Sequence, residues 1–297
     1  MATTDIDKAA AVLNLSPMNS MSDICRSPPV AQRSAGTARL SCGQSGGRTR
    51  LQRLYQEGSA KIRLPHVADG PLEAVLINTS GGLTGGDRLR WAVDIGPGAA
   101  TVVTTQACEK IYRAASGRAE TDVRLNVGTG GHLAWLPQET IVFDRAAFSR
   151  RLDVDLARDA RALILEATLF GRRAMGESAE FGLFRDRWRV VANGKLVHAE
   201  DFSIGPEIAA RLRHAAVLGG AVALATVLVI SPDAEARLDA VRTMIGEKGS
   251  ASFWTIGQTG KLLARLYDTD GYSLRQRLVP LVRLLNGQAG LPKLWSL

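Results

Sequence analysis

The side chains best suited to chemistry in this chain are four carboxylates set among apolar residues. Glu139 and Asp144 bracket Ile141-Val142-Phe143, just past Trp135-Leu136-Pro137-Gln138. Glu166 lies in the apolar run from Ala162 to Leu169, and Glu177 follows Gly171-Arg172-Arg173-Ala174-Met175-Gly176. An acid inside an apolar strand is costly unless it is paired or functional. Pairing with Arg145, Arg172 or Arg173 would account for all four. The functional alternative is a polar lining inside a β-rich body, whose oxygen donors handle a hard or borderline cation briefly.

Other groups carry weaker signals. Ser45 in Gly43-Gln44-Ser45-Gly46-Gly47 matches the G-x-S-x-G nucleophile elbow, which needs a buried strand before it and a packed helix after it. Upstream, Thr37–Cys42 is short and contains Arg39; downstream, Arg48, Arg50 and Arg53 suit a strand. A Gly/Ser hairpin is the stronger reading, with a serine hydrolase acting through Ser45 as the alternative. Cys108 stands two residues from Lys110, which is expected to lower its pKa, but no base is placed beside it. His66, His132, His198 and His214 form no metal-ligand unit, so no permanent zinc or nickel site is expected. Gly81, Gly82, Gly85 and Gly86 lack the Lys-Ser/Thr of a P-loop and the G-x-G-x-x-G spacing. Asp87 would repel phosphate there. The segment reads as a tight strand-to-strand turn, with Asp87 fixing it through backbone hydrogen bonds.

The elements that must position these groups are mostly short strands broken by glycine and polar turns. The pattern predicts Thr37–Cys42, Thr49–Gln56, Ala60–Leu64, Glu73–Asn78, Arg88–Ile95, Ala99–Thr105, Ala119–Val127 and His132–Leu136. Phe148–Leu156, Ala160–Thr168, Arg187–Val191 and Lys195–Glu200 follow, the last two flanking Asn193-Gly194, a hairpin signal. Beyond Ile204 the spacing predicts helices over Pro206–Arg213, Pro232–Ile245 (with Ser231 as N-cap) and Ser273–Leu285. Between them fall strands Ala225–Ile230, Ala251–Ile256 and Lys261–Tyr267. The fold class expected is mainly β (α+β). A β-rich body, residues 34 to 204, precedes a mixed portion, 205 to 297, with about three helices. Residues 1 to 33 read as a disordered leader. The C-terminal helices and Trp295 are candidates for a partner surface, because late apolar segments must dock somewhere.

Composition narrows the class. The chain has 297 residues, 45% of them apolar, and a net charge of +8. The longest mainly apolar run, Ala215 to Ile230, is too short and too glycine-broken for a membrane span. Three cysteines, Cys25, Cys42 and Cys108, form no metal-ligand pair, which fits a reducing cytoplasm. The basic excess between Ala31 and Pro65 is interleaved by no aromatic other than Tyr55, so a nucleic-acid platform is not expected.

Six segments, taken in order, resemble the UreD (UreH) family of urease accessory proteins. They are Asn78-Thr79-Ser80-Gly81-Gly82-Leu83-Thr84-Gly85-Gly86-Asp87-Arg88-Leu89, Thr104 to Arg113, Leu133 to Ile141 with Phe143-Asp144, Phe170-Gly171-Arg172 with Met175-Gly176-Glu177, Arg185-Asp186-Arg187-Trp188, and Leu291-Pro292-Lys293-Leu294-Trp295. The resemblance implies a cytoplasmic scaffold rather than an enzyme, with a mainly β fold and no tightly bound cofactor. It implies binding to the urease apoprotein and to UreF, recruitment of the GTPase UreG through UreF, and transient handling of nickel on its way to urease. Glu139, Asp144, Glu166 and Glu177 are then the candidate residues of an internal nickel path.

Overall fold

In the computed structural model, residues 33–67, 70–172 and 175–296 are described. Apart from Arg33, the expected leader lies outside them. The chain opens with a hairpin, β1 (Ala35–Ser45) and β2 (Arg48–Gly58), followed by β3 (Ala60–Arg63) and β4 (Leu72–Asn78). It then coils: β5 (Arg88–Ile95), β6 (Ala100–Thr105), β7 (Glu109–Ile111), β8 (Ala119–Val127), β9 (His132–Leu136), β10 (Thr140–Val142), β11 (Ala146–Leu156), β12 (Arg161–Phe170) and β13 (Gly182–Ala192). β14 (Lys195–Ile204) returns across Asn193-Gly194, both at positive φ.

Two sheets result. β1, β5, β8, β11 and β13 stack in parallel in the first, with β2 and β14 antiparallel at its edges. β4, β6, β9 and β12 stack in parallel in the second, and β7, β10 and the end of β12 continue its rungs. Since successive strands alternate between the sheets, the body is solenoid-like, and mainly β as the sequence pattern predicts.

The alternation along each strand sets the inside. On β11, Phe148, Arg150, Leu152, Val154 and Leu156 are buried between the sheets, while Arg151 and Asp155 face solvent. β12 is buried on both faces, which explains its unbroken apolar run. The later elements are α1 (Ile208–Arg213), β15 (Ala223–Ile230), α2 (Leu238–Ile245), β16 (Gly249–Ile256), β17 (Thr259–Asp268) and α3 (Gly271–Asn286), of which α1 joins the core between the sheets. β15, β17 and β16 extend the second sheet, and α2 and α3 pack their apolar faces on it.

The expected helix from Pro232 begins late. The Ser231 hydroxyl bonds to the Asp233 side chain instead of capping a helix, a short 3-10 turn spans Glu235–Arg237, and α2 starts at Leu238. Trp295 is not a free docking group. It is 2% exposed on the outer face of the second sheet, and its indole N–H donates to the Leu136 carbonyl at 3.0 Å.

The glycine segment is the corner between β4 and β5. A Cβ at Gly82 (φ 147°) would stand 2.7 Å from the Lys110 carbonyl oxygen and against the Tyr112 ring, so only glycine lets the adjacent corner stack. Asp87 locks the turn, its carboxylate accepting from the Ser34 and Thr84 N–H groups, each at 2.8 Å.

Candidate functional site

The strongest polar arrangement lies between the two sheets. Arg150, on the inner face of β11, meets Asp186, its register partner on β13, through Nε to Oδ1 at 3.0 Å and Nη2 to Oδ2 at 2.6 Å. Its Nη1 donates to the Thr140 hydroxyl at 3.1 Å and pairs with Glu166 from β12 on the facing sheet. Glu166 Oε1 accepts the Trp135 indole N–H at 2.9 Å. All three ionic groups are buried. One arginine faces two carboxylates, so the fully ionised cluster carries an excess negative charge in a low-dielectric interior.

That excess shows in the protonation equilibria. Burial pushes Glu166 up to about 7; Asp186 adds to the rise, and Arg150 and the Trp135 hydrogen bond oppose it. Burial works against the charge on Arg150, but Asp186 and Glu166 outweigh it and hold the guanidinium protonated.

A cavity of about 50 Å³ adjoins the cluster, lined among others by Glu166, Arg150, Glu109, Thr121 and Gln138. Among the described residues the Thr121 hydroxyl has no hydrogen-bond partner, and Glu166 Oε2 faces Arg150 without an aligned hydrogen bond. The space suits one or two water molecules or a small ion. Glu109, on β7, accepts from the Asn78 amide at 3.0 Å, and burial pushes it up to about 7. A larger cleft of about 540 Å³ lies on the outer face of the second sheet, floored by Val102, Ala134 and Leu163. None of the four sequence-derived carboxylates lines it, so the chemistry is assigned to the smaller cavity.

Glu109 makes stability depend on pH with a definite sign. Its folded pKa stands above its unfolded value, so the folded state binds this proton more tightly. Its contribution is greatest at the acid end of the window and is lost as pH rises from about 5 to about 7. Urea unfolding midpoints of Glu109→Gln should fall less across that range than those of the parent. An unchanged slope would show that Glu109 titrates as an ordinary exposed carboxylate.

The four carboxylates occupy three different places. Glu166 belongs to the cluster. Glu139 sits between β9 and β10, where Oε1 accepts from Arg275 of α3 at 2.8 Å and Oε2 accepts from the Cys108 thiol at 3.3 Å. Asp144 and Glu177 meet at the solenoid corner, where Glu177 Oε1 accepts the Asp144 N–H at 3.2 Å. Asp144 Oδ2 lies 3.5 Å from Arg145, and Glu177 Oε2 accepts from Arg172 Nε at 2.6 Å. Arginine pairing thus holds for each acid, though Glu139 and Glu166 use Arg275 and Arg150 rather than the arginines near them in sequence; Arg173 lies outside the described residues. Among the described residues, no three His, Cys, Asp or Glu side chains are placed to hold a metal ion together.

One expectation is corrected, and at Ser45 the hairpin reading holds over the hydrolase alternative. Cys108 is not activated: burial and the Glu139 carboxylate push its thiol up to about 12, Arg275 opposes this only in part, and Lys110 is exposed. Ser45 ends β1 at an exposed hairpin whose turn, Gly46-Gly47, runs straight into β2, so no elbow and no following helix exist. Arg150, Asp186 and Glu109 were not singled out by sequence. The signal was available for the first two, since each occupies a position whose neighbours two residues away, Phe148 and Leu152 or Phe184 and Trp188, are core.

Residues 34–296 match the sequence model of a family described as UreD urease accessory protein. A urease accessory protein UreD of Mesorhizobium japonicum is 66% identical over 271 residues, covering 91% of this chain and 97% of the relative. A urease accessory protein UreD 1 of Brucella melitensis biotype 1 is 55% identical over 266 residues, covering 90% of this chain and 95% of the relative. A counterpart from Brucella anthropi is 54% identical over 270 residues, with the same coverage.

Proposed function

This chain belongs to the UreD family of urease accessory proteins, and from that membership we propose that it is a cytoplasmic scaffold that helps to load nickel into urease. On this reading it binds the urease apoprotein and UreF, reaches the GTPase UreG through UreF, and passes nickel along buried carboxylates. Neither a nucleic acid nor a membrane enters the scheme; no described helix is long and apolar enough to cross a bilayer.

The observation that carries the nickel path is the internal cavity bordered by Glu109 and Glu166, both pushed up to about 7. A carboxyl that holds its proton at neutral pH exchanges it for a cation without leaving a bare buried charge. Oxygen donors and waters grip a borderline ion such as Ni²⁺ weakly, and Arg150, already paired with Glu166 and Asp186, weakens the grip of Glu166 further. Such a site suits transit better than storage. Asp144 lies four residues beyond the cavity-lining Thr140, in the turn just past the end of β10. It offers, with Glu177, a second pair of oxygen donors nearer the surface.

The test removes charge and keeps size. Glu166→Gln and Glu177→Gln should each lower the nickel content of urease several-fold, while co-purification with urease and UreF persists; Glu139→Gln should lower it less, because Arg275 neutralises that acid. Nickel per urease active site, measured by atomic absorption, reads the outcome. Normal loading in all three variants would leave a scaffold without a path.

A further inference from the structure

The corners that join the sheets stack at one end of the rungs, and they expose large apolar side chains. Met175 is 74% exposed, Phe181 51%, Leu183 49% and Tyr112 39%. They form one neighbourhood. The Tyr112 and Phe143 rings meet edge-on with centroids 4.9 Å apart, and the Arg172 guanidinium lies 4.2 Å over the Phe143 ring. Met175 N–H donates to the Arg172 carbonyl at 2.7 Å, and Arg145 N–H to the Phe181 carbonyl at 2.8 Å. Aromatic, methionine and arginine side chains together are the composition of a protein-binding hot spot.

Asp144 and Glu177 lie beneath this patch, each held twice. One oxygen of each accepts a backbone N–H, from Phe181 at 2.9 Å for Asp144 and from Asp144 at 3.2 Å for Glu177. The other is covered by an arginine, Arg145 or Arg172, whose side chains are 58% and 41% exposed. The backbone bonds fix the carboxylates, so the arginines are not required to position them. Partly exposed ion pairs of this kind contribute little to stability. Arg145 also adopts φ 58°, a conformation uncommon for a residue other than glycine or asparagine.

We propose that this corner is a docking surface for a protein partner presenting carboxylates beside apolar side chains, and that docking draws Arg145 and Arg172 off Asp144 and Glu177. The bound partner's acids take the guanidiniums, its apolar groups cover Met175 and Phe181, and the two acids underneath are left with free oxygens facing the contact. Charge favours this occupant. Arg113 adds a further exposed cation at the same corner, whereas a second copy of the chain would set arginine against arginine across a two-fold axis. A nucleic acid would bring phosphates onto Met175, Phe181 and two carboxylates. The release step rests on the nickel-path reading; the docking step does not.

Two double variants test it in the full-length protein, with purified urease apoprotein and purified UreF as separate binding probes. Arg145→Gly with Arg172→Gln removes the cations and relieves the positive φ. Met175→Asp with Phe181→Asp reverses the character of exposed groups. Both should weaken binding to the same probe by about tenfold or more, the arginine pair should flatten its salt dependence, and thermal midpoints should stay near the parent's. Parental affinity for both probes overturns the proposal, as does loss only of self-association in sedimentation or only of binding to duplex DNA. Glu177→Gln separates the two ideas. If it binds normally and urease still loads fully, the path falls and the docking surface stands; if the docking variants bind normally while Glu177→Gln starves urease of nickel, the reverse holds.

Discussion

Replacing Arg150 with methionine should cost about 3–5 kcal/mol of stability, enough to leave much of a typical domain unfolded at physiological temperature. The loss is not that of three favourable contacts. Methionine fills much of the volume but leaves Asp186 and Glu166 facing each other in the core with no counter-ion, and both must take up protons or open the sheets. Replacing all three members, Arg150→Met with Asp186→Leu and Glu166→Leu, should therefore recover most of the loss, less the unpaired Trp135 indole N–H. Urea denaturation followed by tryptophan fluorescence measures both. A cost below about 1 kcal/mol for the single variant would mean that the cluster is solvated in solution. The triple variant also separates stability from function. If it folds and still supports nickel loading, the cluster is structural alone; if it folds and fails, the charges exist for the cargo.

Trp295→Ala should be nearly as damaging, at about 3–5 kcal/mol. The indole N–H bonds to Leu136 O at 3.0 Å and Thr104 Oγ1 at 3.2 Å, while the Trp295 carbonyl accepts from Arg275 at 3.0 Å. Arg275 in turn donates to Gln138 and Glu139, and its guanidinium stacks 5.1 Å from the Trp295 ring. Removing the ring unseats Arg275 and so uncovers Glu139 and Cys108. The variant should show a lower melting temperature and faster reaction of Cys108 with a thiol reagent, with Trp295→Phe intermediate in both. An unchanged labelling rate with a lowered melting temperature would mean that Arg275 stays in place without its tryptophan.

What could be read from the chain divides by distance along it. The strand alternation, the Asn193-Gly194 turn and the glycine corner locked by Asp87 depend on neighbours a few residues apart, and their residues announce them. The pairings that make the site do not. Arg150 meets Asp186 only because β11 and β13 lie side by side in parallel with another element between them in sequence. Glu139 meets Arg275 only after α3 has folded back over the sheet. The carboxylates were identifiable as out of place in an apolar setting, but not the partners that make them tolerable. Cys108 was misread for the same reason: Lys110 is near in sequence but exposed, whereas Glu139 is distant in sequence and in contact. The late start of α2 came from a side-chain bond between Ser231 and Asp233 that competes with capping.

The dependence of Gln138 on Leu294 and Arg275 has a consequence in time as well as space. Gln138 walls the cavity, and both groups that hold it belong to segments translated long after Arg150 and Glu166. Without those two segments in place, the charged interior has its rungs but not its closing side. The wall at Gln138 therefore closes only after α3 and the segment around Leu294 have come back over the sheet, and even then the cavity keeps room for one or two waters.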